Sequence, residues 1–165
     1  MADVVSVRLA RADDHTAMCA ILDVIDELHR EAVPWLFRVP ETPPRPIEYF
    51  AEYLRAESCA ALVADVGRIV GVALVLLRST PEHPLFRRRS YGVLDGIAVD
   101  PSSRRRGVGR RLVAGAQQWA HARGAEWLEL NVYDFNHDAA AFYDALGFQS
   151  ISRKMHMSLS DTSEP

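Results

Sequence analysis

Only two cysteines occur in 165 residues, Cys19 and Cys59. They lack CxxC spacing, and they fall in a helical pattern and at a strand start. Both read as reduced, packed thiols of a cytoplasmic protein. The six histidines are scattered, with no pair at metal-ligand spacing beside a third ligand, so no metal is expected. Long apolar runs are missing too. The longest uncharged one, Ile69 to Leu77, has nine residues, whereas a membrane span needs about 20. It reads as a buried strand, and no membrane partner is expected. The start MADVVSVRLARADD has no basic segment leading into an apolar one, so no secretory signal is expected. Lysine is nearly absent: of 19 basic residues, all but Lys154 are arginine. Against 22 acidic residues they leave a net charge of −3. A chain of that charge is not drawn as a whole to nucleic acid.

What is present is a globular composition, 48% hydrophobic and 25% charged, at a length that suits one domain. Residues 1–159 read as that domain and 160–165 as a flexible polar tail. Val4 to Leu9 suggests a first strand. Met18, Ile21, Leu22, Ile25 and Leu28 repeat at three and four, which predicts a helix. Five prolines break the pattern between Glu31 and Pro46, where Trp35, Leu36 and Phe37 stand among them. A second helix follows from Ile47. Strands are predicted at Ala60 to Asp65 and Arg68 to Leu77, joined by a tight turn at Val66-Gly67. Tyr91 to Val99 is a fourth strand, with Gly96 inside it as a bulge signal. A helix over Leu112 to Ala120 stops at Gly124. The strand Trp127 to Tyr133, a short helix from about Asp138 to Leu146, and strands near Phe148 and Met155 to Leu159 complete the order. Mixed order of this kind predicts an α/β domain with a largely antiparallel sheet and two crossover helices.

Two segments carry chemistry. The first runs from Ile97 to Leu112 as IAVDPSSRRRGVGRRL. A strand ends, a basic glycine loop follows and a helix begins. Unpaired N–H groups at a helix start, with the dipole behind them, attract an anion. Gly107 and Gly109 let backbone approach a phosphate, and Arg104, Arg105, Arg106 and Arg110 add charge. No Gly-Lys-Ser/Thr follows, so this is not a Walker loop, and a single GxG is not a dinucleotide fingerprint. A solvated basic turn is the plain alternative. The second segment runs from Asn131 to Phe148 as NVYDFNHDAAAFYDALGF. Asn136 is a good helix N-cap. Phe142 and Leu146 share a helix face at i, i+4, and Tyr143 lies beside it. Taken alone, Tyr143 reads equally as a half-buried packing residue.

Together these segments resemble the GNAT superfamily of N-acetyltransferases. Its Arg/Gln-x-x-Gly-x-Gly/Ala loop after a strand matches Arg104, Gly107 and Gly109. Its later Asn-x-x-Ala-x-x-Phe-Tyr-x-x-x-Gly-Phe matches Asn136, Ala139, Phe142, Tyr143, Gly147 and Phe148. The resemblance implies an α+β fold: a mixed, largely antiparallel sheet of six to seven strands flanked by four helices and splayed between the fourth and fifth strands. It implies acetyl-CoA as co-substrate. The pantetheine arm would lie along Ile97, Ala98 and Val99. The diphosphate would sit on the loop Arg104, Arg105, Arg106, Gly107, Val108, Gly109 and Arg110, with Asn136 and Tyr143 completing the site. Acetyl transfer would go directly from thioester to amine in a ternary complex, with the Val99 N–H facing the oxyanion and Tyr143 as acid for the departing thiolate. The two cysteines then need no nucleophilic role.

The base departs from the family pattern. Some members carry a glutamate where this chain has Val93. Strand alternation places Asp95 on the face of Val93, Ile97 and Val99. Asp95 is therefore the candidate to remove the amine's proton through water or to bind a cationic acceptor, with pairing to a nearby arginine as its plain alternative. Glu129 and Asn131 are weaker candidates, and His29 and His137 read as a surface histidine and a capping neighbour. The resemblance also lays the Glu31 to Pro46 loop over the acceptor end of the cleft. Trp35, Leu36 and Phe37 would there wall the pocket, or else plug the core. The leading expectation is an N-acetyltransferase acting on a small-molecule or peptide amine. A non-catalytic acyl-CoA-binding sensor or scaffold is the second. A nucleic-acid module built on Arg87 to Arg89 and Arg104 to Arg106 lacks any accompanying motif. Dimers are frequent in the family, which adds a homodimer to the partners considered.

Overall fold

The computed structural model describes residues 4–159. They form two compact units that divide after Asn131. In the first unit the order is β1 (Ser6–Leu9), α1 (His15–Ala32), α2 (Ile47–Arg55), β2 (Cys59–Asp65), β3 (Ile69–Ser79), β4 (Ser90–Val99), α3 (Val108–His121) and β5 (Trp127–Leu130). The second unit contains α4 (His137–Asp144). The strands lie in the order β1-β2-β3-β4-β5. Neighbours are antiparallel as far as β4, and β4–β5 is parallel through the α3 crossover.

The sheet is apolar on both faces because both are covered. On one face Ala61, Val63, Val72, Leu74 and Ala98 pack with Met18, Ile21, Leu22 of α1 and Phe50, Tyr53 of α2. The three- and four-residue spacing on α1 therefore does what the sequence predicts. On the other face α3 buries Val108, Leu112, Val113 and Ala116. It comes close enough to β3 that a Cβ on Gly71 would lie 2.9 Å from Leu112 Cδ1. Removing the Leu112 side chain would cost about 2–5 kcal/mol.

The mixed, mainly antiparallel architecture with four helices matches expectation, but the strand count does not. The described residues hold five strands, not six to seven, and nothing regular forms over 148–159. The alternation there is real, yet Ile151, Met155, Met157 and Leu159 are all about 80% exposed or more. Alternation shows which face would be buried; it does not supply the neighbouring ladder that makes a strand. The second crossover, through α4, accordingly returns to no strand. The tail expected at 160–165 lies outside the described residues. Among those described, no helix is long and apolar enough to cross a membrane.

Candidate active site

β4 leaves the sheet's regular pattern half-way along. Its pairing with β5 runs only from Tyr91–Trp127 to Leu94–Leu130. At the next residue the β3–β4 register jumps, Leu74 facing Gly96 and Val75 facing Leu94. Asp95 is the extra residue of a β-bulge. Bulges bend a strand and sharpen its twist, so β5 cannot follow β4 beyond this point. The splay implied by the resemblance has this origin.

Beyond the bulge, among the described residues, no strand pairs with the edge that β5 has left. Asp100 donates its N–H to the Val70 carbonyl at 2.9 Å, and Gly71 stands opposite Val99. In an antiparallel ladder, Gly71–Val99 is then a non-hydrogen-bonded pair, and so is Ala73–Ile97. The N–H and C=O groups of Ile97 and Val99 therefore point away from β3, toward the vacated edge. Ala98 differs, because its backbone faces Val72 in the ladder and its side chain is buried. It has no free polar group to offer a ligand.

The chain then turns through Pro101–Ser103. Asp100 organises the turn by accepting from the N–H and hydroxyl of Ser102, and Arg68 reaches it at 2.6 Å. The Arg68 guanidinium holds the Asp100 carboxyl below the usual carboxylate range. Arg104 Nε donates to the Val99 carbonyl at 3.2 Å, so this side chain folds back onto the strand. Arg105 has φ 62° and Gly107 φ 78°. Gly107 is the α3 N-cap, and a Cβ there would meet nothing within 4 Å. Glycine is demanded at 107 by backbone conformation, not by crowding. Arg105, a non-glycine in the left-handed region, is a strained position of the kind that clusters at ligand clamps.

The first backbone bond back into α3 is Arg111 N–H to the Gly107 carbonyl at 3.1 Å. Among the described residues, the unbroken run of N–H groups from Arg105 to Arg110 has no acceptor inside the protein. Arg105, Arg106 and Arg110 are exposed and, among the described residues, form no ion pair with a carboxylate. Successive outward N–H groups around left-handed residues form an anion nest, and here it sits at the positive end of a helix of 14 residues.

Asp95 is exposed and, among the described residues, in no ion pair. The bulge corrects its expected company. With Asp95 unpaired, alternation shifts by one, so Asp95 keeps the face of Val93 while Ile97 and Val99 turn to the α3 face. Among the described residues its hydrogen-bond partner is Tyr53, whose hydroxyl donates to Asp95 Oδ2 at 3.4 Å. Tyr53 went unnoticed in the sequence, since nothing local links residues so far apart. Glu129 is engaged elsewhere, bound to Arg89 at 2.7 Å, and Asn131 is exposed. Burial raises the thiols of Cys19 and Cys59, the wrong direction for nucleophiles.

In the second unit, Asn136 caps α4 by accepting from the Ala139 N–H at 3.1 Å. The helix ends at left-handed Gly147, and the Phe148 N–H returns to the Tyr143 carbonyl at 3.1 Å. This C-terminal motif sets the Phe148 ring edge-on to Tyr143, 5.6 Å between centroids. Burial pushes the Tyr143 phenol up to about 12. Phe142 and Leu146, which the i, i+4 spacing places on one face, are only partly buried.

Residues 22–148 match the model of the Acetyltransferase (GNAT) family. The chain belongs to this family. Among GNAT relatives, a glucosamine 6-phosphate N-acetyltransferase of Trypanosoma brucei brucei is 30% identical over 95 residues, covering 56% of this chain and 59% of that protein. An aminoglycoside N(6′)-acetyltransferase type 1 of Salmonella typhimurium is 35% identical over 105 residues, 62% of this chain and 70% of its own length. The match thus spans less than two thirds of the trypanosome relative. Among solved structures, the BH1408 protein of Bacillus halodurans superposes with a TM-score of 0.87 at 26% identity, over 93% of this chain and 99% of its own. The GNAT fold accounts for the features above that composition leaves unexplained: a bulged, half-paired fourth strand running into an arginine-rich nest.

Proposed function

We propose that this chain is an acetyl-CoA-dependent N-acetyltransferase. The observation that carries the reading is the run of open N–H groups from Arg105 to Arg110, directly after an open strand edge. A diphosphate fits the nest, because its oxygens accept and its charge meets unpaired arginines. An amide-bearing arm fits the edge, where Ile97 and Val99 can pair with it as a fifth-strand residue would.

The chemistry follows from the acceptor. An amine with a lysine-like pKa of about 10.4 is neutral in only roughly 1 in 2,500 molecules at pH 7. Its ammonium must lose a proton before nitrogen can attack the thioester carbon. Asp95, on the same strand, is the residue proposed to take that proton directly or through water. The C–N bond then forms and the C–S bond breaks. From ammonium to amide, two protons leave nitrogen; one ends on sulfur and one goes to solvent. The Val99 N–H is the donor proposed for the oxyanion. Tyr143 is assigned to the leaving sulfur on its motif position. At about 12 its phenol keeps its proton at every working pH. A thiolate is a weaker base than the raised phenolate, so full transfer is uphill, and the phenol acts by donating a hydrogen bond as charge develops on sulfur.

The names of the trypanosome and Salmonella relatives support an amino-sugar type of amine as the acceptor. The test has two parts. Calorimetry should show acetyl-CoA binding to the wild type and its loss in Gly107→Glu and Gly109→Glu with the fold retained. A thiol-release assay over amino sugars, polyamines and peptides should then find a substrate. No acetyl-CoA binding would overturn the reading. Binding without release on any amine would favour the acyl-CoA sensor, toward which Val93, at the place of a family glutamate, already leans.

A further inference from the structure

Two independent features converge on Asp95. The bulge sets it off the ladder, a device that re-aims a side chain. From α2, the Tyr53 hydroxyl reaches Oδ2 at 3.4 Å. Tyr53 is 8% exposed and its ring packs against those of Phe50 and Tyr49. Its hydroxyl lies 3.4 Å from that of Tyr49, a residue 38% exposed. A buried phenol with two oxygen neighbours is costly unless those neighbours are its purpose or its compensation. A carboxylate needing only solvation would take water, as Asp95 is exposed enough to do.

We infer that Tyr53 is a positioning residue: its hydroxyl fixes Oδ2 of Asp95 and leaves Oδ1 aimed at the acceptor ammonium. This rests on Asp95 being the group that receives the acceptor. Without the restraint, an exposed carboxylate samples several rotamers, and few of them meet the reacting nitrogen. The bond is long for O–H···O, as such bonds often are before substrate tightens them. Burial, followed by the Tyr49 hydroxyl, raises the Tyr53 phenol far above its ordinary range. It therefore stays a donor throughout the working pH. The arrangement also assigns the wall of the acceptor site. It is Tyr53 of α2 whose hydroxyl stands against Asp95.

The experiment is a double-mutant cycle on the full chain, with acetyl-CoA and an amine found by the thiol-release assay. Tyr53→Phe keeps the ring and removes only the hydroxyl. It should lower kcat about 10- to 100-fold, the range of a hydrogen bond to a charged group. The KM for acetyl-CoA and the melting temperature should hold. In an Asp95→Asn background the same substitution should have almost no further effect, since the partner is already lost. A role in packing alone would lower the melting temperature and reduce activity by the same factor in both backgrounds. Full activity in Tyr53→Phe beside an inactive Asp95→Asn overturns the positioning role and leaves Asp95 standing. Full activity in Asp95→Asn removes Asp95 itself, and the inference with it.

Discussion

Arg104 and Val99 share a hydrogen bond that ties the phosphate loop to the strand edge before it: Nε donates to the carbonyl at 3.2 Å. The Val99 N–H, one bond away on the same edge, stays open. The loop therefore cannot shift without moving the strand that would hold the ligand's arm. Arg104→Ala should raise the acetyl-CoA Kd about ten-fold, the equivalent of one charge-assisted bond. The melting temperature should change little, because Arg104 is exposed. Calorimetry and a thermal melt on one preparation check both halves.

Tyr143→Phe should leave acetyl-CoA affinity nearly intact and lower turnover by roughly 100-fold. The wild-type phenol ionises only near 12, so it contributes no basic limb to the rate profile below about pH 11. A wild-type rate in the variant across the pH range would return Tyr143 to a packing role beside Phe148.

Acid should weaken the first unit through one cluster. Arg8 donates to Asp14 at 2.7 Å and to Asp65 at 2.9 Å. Its guanidinium holds the Asp14 carboxyl below the usual range. A lowered carboxylate pKa stabilises the fold above the unfolded value and loses that contribution as pH falls through the folded one. Arg8→Gln should cost about 2 kcal/mol at pH 7, a drop of roughly 4–8 °C. The gap between variant and wild type should close as pH falls below about 4. Melts at a series of pH values measure it.

Trp35→Ala should leave the melting temperature within about 2 °C of the wild type, as exposed substitutions do. Trp35 is 66% exposed and Leu36 53%, so neither plugs the core. Phe37 stacks on His29, 5.3 Å between centroids. If the loop touches the acceptor, the variant's KM for the amine rises while its melt does not move.

What the sequence made legible was local. The cap at Asn136 is written in neighbouring residues and stands where the sequence put it, whereas the helix predicted over Leu112 to Ala120 begins a turn earlier, at Val108 behind Gly107. The features that went unread depend on partners distant in the chain. Gly96 marked a bulge, but only the register against β3 shows Asp95 as the extra residue, and only that reverses the faces beyond it. The hydroxyl of Tyr53 meets Asp95 because two elements pack on one sheet face. The left-handed Arg105 has no sequence signal at all, since arginine has no preference for that conformation. The strands expected after α4 failed for the opposite reason: their pattern was clear, but pattern does not provide a neighbour.

An open strand edge is a hazard as well as a site. The bare N–H and C=O of Ile97 and the bare N–H of Val99 would accept the edge strand of another molecule as readily as a ligand. The chain blunts that edge with its own parts. The bulge at Asp95 breaks the straight run that a second strand would need, the Arg104 guanidinium covers the last carbonyl, and the exposed charge of Arg105 and Arg106 stands just past its end. Solubility at high concentration is therefore tied to the same residues that prepare the edge for binding. A change made there to alter affinity also alters how readily copies of the protein stick to one another.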